Sequence, residues 1–227
     1  MPKPENIEVI KERRPHWEFL QKLPKELHGF TFKEGGEMVT RHELLLGVYE
    51  NVLARRRLEL VYTKETFDYV PVRQVGLHRY RDFRYITRDK DIFEEWITGA
   101  IDRLVEETMP TYIPRSGHLL KAKGILDWHY PDKLPDRIGN FVKFIGPQYP
   151  LDFINNATII LNYADFDAGN ELVVMYNRVR NEYYAENKRR FIPSTIHEFD
   201  AKKLEDLESL LEEKLEPYLL ELGNSGK

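Results

Sequence analysis

Residues 157–177 read ATIILNYADFDAGNELVVMYN, and this stretch decides the fold class. Two runs rich in β-branched and aromatic residues, 157–163 and 171–177, flank DFDAGN, whose Asp, Gly and Asn suit a tight turn. Strands this close in sequence must pair antiparallel, because a parallel pair needs a crossover of a dozen or more residues.

The same reading extends outward. LELVYT (58–63), YVPVRQVG (69–76) and residues 82–87 are predicted strands, with Pro71 marking an edge or a bulge. Residues 179–199 are predicted to return to strand, with the charged Glu186–Arg190 run as a turn or edge. Helical spacing predicts four helices. A short one starts near Pro15 and stops before Pro24. A second spans 41–57, with Thr40 and Glu43 as a capping box, an apolar stripe of Leu44, Leu45, Val48, Tyr49, Val52 and Leu53, and arginines 55–57 at its negative end. A third begins at Asp91 and Glu94, another capping-box pair, and buries Phe93, Ile97, Ile101 and Leu104 before Pro110. A last helix spans 201–222, with Asp200 as its cap, a leucine stripe, and a kink or restart at Pro217. Between 110 and 150 fall six of the thirteen prolines, so long helices are not expected there, only a short one at Ile138–Ile145.

The expected fold is α+β: a mostly antiparallel sheet flanked by amphipathic helices. Two related α/β halves are an open alternative, supported by no evident sequence repeat. The expected divisions are an N-terminal helical or irregular segment (1–37), a helix-strands-helix half (38–110), a Pro/Gly-rich connector (111–156), and strands plus a C-terminal helix (157–227), within one compact domain overall.

Composition narrows the function. The 227 residues are 41% hydrophobic and 12% aromatic, a globular balance. With no cysteine there is no disulfide, thiol nucleophile or Cys-based metal site. The net charge of −4 supplies no global field for nucleic acid. No apolar run reaches the ~20 residues of a membrane helix, and the N-terminus lacks the apolar core of a signal peptide, so a cytoplasmic location without membrane partners is expected. The Gly-rich phosphate loop, the G-x-S-x-G elbow and the H-E-x-x-H helix are all missing.

Four constellations remain. RQVGLHRYRDFRYITRDKD (73–91) carries five arginines among aromatic residues, and residues 55–90 hold ten Lys/Arg against five Asp/Glu. Arginine forks bind phosphates and aromatic rings stack on bases, so Arg73, Arg79, Tyr80, Arg81, Arg84 and Tyr85 are the candidate binding residues. The competing reading is a sheet face with its own cross-strand pairs. His118, Asp127 and His129 are candidate metal ligands in the 118–132 loop, where a histidine pair and a carboxylate would suit a metal-dependent hydrolase. Asp165 and Asp167 with Glu171 could hold a hard cation, against a plain hairpin turn. Glu186-Asn187-Lys188 matches a three-residue nuclease pattern that charged chains produce by chance.

The acidic C-terminal helix could neutralise the basic segment, within the chain or across a dimer. The leading expectation is therefore a non-enzymatic binding protein, acting through protein–protein contacts or as a homodimer, with no cofactor. Nucleic-acid binding through 55–90 and metal-dependent hydrolysis are the alternatives.

Overall fold

A computed structural model describes residues 5–153 and 156–224. The chain divides into two compact units, 1–110 and 111–227. It is α+β, and the two units are similar halves.

The first unit opens with helices α1 (Ile7–Arg13) and α2 (Glu18–Lys22), joined by a 3-10 turn carrying Pro15. Seven strands follow: β1 (Glu26–Leu27), β2 (Phe30–Glu34), β3 (Met38–Thr40), β4 (Glu43–Asn51), β5 (Arg56–Thr63), β6 (Asp68–Val75) and β7 (His78–Arg81). Helix α3 (Lys90–Glu106) closes the unit. The sheet is antiparallel in the order β1-β2-β4-β5-β6-β7, with β3 pairing β4. Phe93, Ile97, Ile101 and Leu104 of α3 bury against Leu44, Leu58, Leu60, Tyr62 and Tyr69 of the sheet.

The second unit repeats this plan. After α4 (Gly117–Ala122) and a 3-10 turn (Tyr130–Lys133) come β8 (Arg137–Ile138), β9 (Phe141–Ile145), β10 (Leu151–Asp152), β11 (Ala157–Asp165), β12 (Asn170–Asn177), β13 (Glu182–Arg189) and β14 (Ile192–Ala201). Helix α5 (Leu204–Asn224) ends it. The order is β8-β9-β11-β12-β13-β14, with β10 pairing β11. Leu207, Leu211, Leu215, Leu219 and Leu222 of α5 pack on Leu172, Val174, Tyr183 and Phe199.

The correspondence reaches individual hydrogen bonds. Trp17 donates its indole N–H to Glu94 on the second turn of α3, and Trp128 donates to Glu208 at the same place on α5, at 2.6 Å. Tyr49 donates to the Pro24 carbonyl at 2.7 Å, and Tyr163 to that of Pro135 at 2.5 Å. Rings pair at 5.0 Å for Tyr62–Tyr69 and 5.3 Å for Tyr176–Tyr183. Both long first strands carry a bulge, between Leu45 and Gly47 and between Ile159 and Leu161. Guided by these contacts, a repeat emerges that the sequence reading missed: WEFLQKLPKELHGF (17–30) against WHYPDKLPDRIGNF (128–141), with Trp, Lys, Leu, Pro and Phe in register. Equivalent positions lie 111 apart there, as in Trp17/Trp128, and 114 apart from β4 onward, as in Tyr49/Tyr163.

Several expectations are corrected. The helix expected at 41–57 is instead β4, a turn and the start of β5. Its apolar stripe misled because Glu43–Tyr49 is buried on both faces, which produces a continuous apolar run without alternation. Gly47 fits a close approach, since a Cβ there would meet the Phe32 ring at 2.6 Å. Val52 and Leu53, counted in the stripe, are exposed turn residues. Thr40 and Glu43 face each other across the β3–β4 pair and cap nothing.

The strand expected at 82–87 is a 3-10 turn, Phe83–Tyr85, started by the Asp82 side chain, which accepts from the Arg84 amide. The strand of this region is β7, four residues earlier. Asp89 rather than Asp91 caps α3, accepting from the Asp91 and Ile92 amides. Residues 138–145 form β8, a turn and β9, and not a helix. Asp200 lies in β14, where it meets the His197 ring at 2.8 Å, and α5 begins at Leu204 and runs unbroken through Pro217. Glu186–Arg189 belongs to β13, and the turn falls at Arg190 and Phe191, both with positive φ.

Candidate functional site

The arginines of 73–91 face carboxylates of their own unit. Arg73, on the α3 side of β6, lies 7% exposed with its Nη2 2.6 Å from Glu107 and 3.1 Å from Asp82. Arg84 forks onto the same two carboxylates, 2.6 Å from Asp82 and also bonded to Glu107. On the opposite face, Arg79 bridges Glu43 and Glu59 at 2.8 Å each, and Arg81 reaches Glu43 at 2.9 Å. Each position follows from strand register: Arg79 and Arg81 sit opposite Gln74 and Val72, whereas Tyr80 sits opposite Arg73.

Their electrostatics are those of closed pairs. Burial works to raise the Glu107 and Asp82 carboxyls, but bonds from Arg84 and the charge of Arg73 outweigh it, leaving both below their usual range. Glu43 is lowered in the same way by Arg81 and Arg79, against its burial. Arg84 is held well above the ordinary arginine value by the hydrogen bonds it donates to Asp82 and Glu107. Tyr85 receives a hydrogen bond from Arg103 and packs edge-on against Trp96 at 6.5 Å. Arg56, buried beneath the same unit, donates to the carbonyls of Thr108 and Met109, and burial pushes its pKa down to about 10. The carboxylate partners are Glu43, Glu59, Asp82 and Glu107, all within the first unit.

The other constellations fall on separate pieces of structure. His118 Nδ1 lies 3.1 Å from the Arg115 carbonyl, and His129 Nδ1 lies 3.0 Å from Asp132. Among the described residues no group of three or more His, Asp or Glu is placed to hold a metal ion, so His118, Asp127 and His129 are not gathered into a site. Asp165 accepts from the Ala168 amide at 3.1 Å, and Gly169 takes a positive φ of 67°, as a hairpin turn requires. Glu171, fully buried, pairs with Lys188 at 2.7 Å and accepts from Asn162.

The feature that sequence reasoning missed is the outer strand of the second sheet. In the first unit the equivalent strand, β7, has four residues, and the chain then turns into the Asp82–Arg84 ion network. In the second unit β14 runs for ten residues, pairs with β13 on one side, and is exposed from Ile192 to Thr195. Pro193 stands within it, and proline is tolerated on the edge of a sheet where its nitrogen faces away from the ladder. Alternation then turns the Thr195 and His197 amides the same way, and the His197 N–H is indeed taken by the Glu198 side chain at 2.9 Å. Beside this edge lies a groove of 630 Å³ between β14 and α5, lined by Ile192, Ser194, Ile196 and Glu198 on the strand and Lys214, Pro217, Tyr218 and Glu221 on the helix. The other outer strand of this sheet, β8, has two residues against the ten of β14.

No helix among the described residues is long and apolar enough to cross a membrane. No protein-family model, curated protein or solved structure matches the chain.

Proposed function

We propose that this is a non-enzymatic binding protein that takes an extended segment of a protein partner along β14. The observation that carries this reading is the contrast between the two halves. One plan ends in a short outer strand tied into ion pairs in the first unit, and in a long exposed one in the second. A long exposed edge invites other chains, and proteins normally blunt it. Here it is retained beside a groove, the arrangement through which β-augmentation gives affinity by main-chain bonds and specificity by side-chain pockets.

The reading accounts for the arginine segment as internal to the first unit. A phosphate would have to compete with carboxylates already 2.6–3.1 Å from the guanidinium groups of Arg73 and Arg81.

The test is a random twelve-residue peptide display library selected on the full chain and counter-screened on Thr195→Pro. The Thr195 nitrogen faces away from β13, so proline there removes a donor from the edge without breaking the sheet. Selected peptides should bind the native chain and lose at least tenfold on the variant. Selections yielding no binders, or binders indifferent to Thr195→Pro, remove the proposal. A second copy as the occupant would instead appear as a dimer in sedimentation that Thr195→Pro dissociates.

A further inference from the structure

The exposed edge begins at a turn that differs between the two units. Arg189 pairs with Ile192 across the β13–β14 hairpin, and Val75 with His78 across β6–β7, each 114 residues earlier. The first unit places Gly76 in the left-handed position of its turn, at φ 58°, where glycine is unstrained. The second unit has Arg190 there, at φ 50°, followed by Phe191 at φ 68°. Both residues therefore sit on backbone that disfavours a Cβ. Neighbouring contacts hold it. The Arg190 N–H donates to Asn170 Oδ1 and the Phe191 N–H to the Gly169 carbonyl, each at 2.8 Å. The Phe191 ring lies where a Cβ at Gly169 would come within 2.4 Å of it. The result is an apolar tip. Phe191 is 62% exposed and Ile192 71%, whereas His78, the counterpart of Ile192, is 5% exposed. Backbone strain held in place around an exposed apolar pair points to a binding role.

Ile192 also lines the groove between β14 and α5, and the polar walls of that groove are already paired. Asn187 donates to the Tyr218 hydroxyl at 2.6 Å, and Arg189 bonds the same hydroxyl. Lys214 Nζ lies 3.5 Å from the Glu198 carbonyl, the Glu198 carboxylate takes the His197 amide, and Glu221 is engaged within the chain. What the groove offers an occupant is therefore Ile192, Ile196, Pro217 and the Tyr218 ring. A charged side chain would lose its hydration there for no new counter-ion, whereas an apolar one gains by leaving water. The other face of the hairpin differs. Thr195 and His197 line a second groove, of 650 Å³, whose further walls include Glu182, Asp200 and Lys202.

We propose that the partner segment docked on β14 is amphipathic, and that its anchor is a large uncharged apolar side chain seated against Ile192, Ile196, Pro217 and the Tyr218 ring. Residues directly opposite each other on paired strands share a face. Those opposite Ile192 and Ile196 therefore point toward α5, and those between them point toward Thr195 and His197. This rests on the edge-docking reading above and adds the chemistry of the anchoring residue.

Peptides selected on the full chain and sensitive to Thr195→Pro are sequenced, and one is measured by calorimetry against three variants. A large apolar residue should recur at one position with polar residues on either side. Its replacement by serine should weaken binding at least tenfold, as uncovering one buried apolar side chain does. Ile192→Asp, at an exposed position, should cost at least tenfold, while Ile192→Val should stay within threefold of the native chain. Glu221→Gln should also stay within threefold, and so should the native complex between about 0.05 M and about 0.5 M salt, because no ion pair holds the anchor. Thr195→Pro-sensitive peptides overturn this inference and leave edge docking standing if they carry a charged residue at the recurring position, bind Ile192→Asp as well as the native chain, or lose tenfold with Glu221→Gln. A dimer in sedimentation that Ile192→Asp dissociates overturns it too, with a second copy as the occupant. Peptides insensitive to Thr195→Pro overturn both.

Discussion

Replacing Arg73 by methionine tests whether the arginine segment is structural. The guanidinium is 7% exposed and lies 2.6 Å from Glu107 and 3.1 Å from Asp82, themselves 6% and 7% exposed. Methionine keeps much of the stem's volume and removes the charge. Two buried carboxylates then share Arg84, which is 43% exposed, and a distant Arg103 at 3.7 Å. Removing one partner of a buried pair costs about 3–5 kcal/mol, since the other charge is stranded. Arg84 compensates partly, so the expected loss is about 3 kcal/mol. With a urea dependence of ~1–3 kcal/mol per molar, the midpoint should fall by about 1–2 M. Tryptophan fluorescence follows the transition, with Trp17 and Trp96 reporting on this unit. Arg81→Met serves as the control, because that side chain is 31% exposed and should cost about 1 kcal/mol or less. A loss below about 1 kcal/mol for Arg73→Met, equal to the control, would refute the structural reading.

The buried carboxylates on the two faces of this sheet set an acid limit. Asp82, Glu107 and Glu43 have lowered folded-state pKa values, so their stabilisation is present above the unfolded-state pKa values near 4 and is lost as pH falls through the folded ones; urea midpoints at pH 6 and pH 3 should differ more in the native chain than in Arg73→Met. Gly47→Val should destabilise by about 1–3 kcal/mol in thermal melts, because its Cβ would press the Phe32 ring at 2.6 Å, whereas Gly99→Ala, with no atom within 4 Å, should not. Trp17→Phe and Trp128→Phe should each cost about 2 kcal/mol, the loss of a hydrogen bond to a carboxylate together with some packing; a large cost at one and none at the other would contradict the equivalence of the halves.

The hairpin at 157–177 and the strands at 58–63 and 69–76 were legible as short apolar runs rich in β-branched and aromatic residues beside turn residues, and the helix before Pro110 by its helical spacing. The stretch 41–57 was not, because a strand buried on both faces has no alternation and its leucines also satisfy a helical stripe. The duplication stayed hidden for a related reason. Only 17–30 and 128–141 keep recognisable identities, and they are short buried-face and turn positions with no motif value of their own. Hydrogen bonds expose what similarity does not: Phe32 to Lys25 at 2.8 Å and Lys143 to Asp136 at 2.9 Å are one contact made by different residues. The candidate site was less legible still. Composition announced the arginines, but Glu43 and Glu59 lie 36 and 20 residues before Arg79, and only the sheet register joins them to it. The β14 edge carries no motif, because an edge is defined by the strand that is not beside it.

Amide hydrogen exchange on the full chain, with and without a selected peptide, tests the central claim most directly. The Thr195 amide is expected to exchange freely in the isolated protein and to slow at least tenfold when the peptide is bound, with residues 79–84 unchanged. Protection that appears at 79–84 and leaves β14 unaffected would contradict the account, returning the binding surface to the arginine segment.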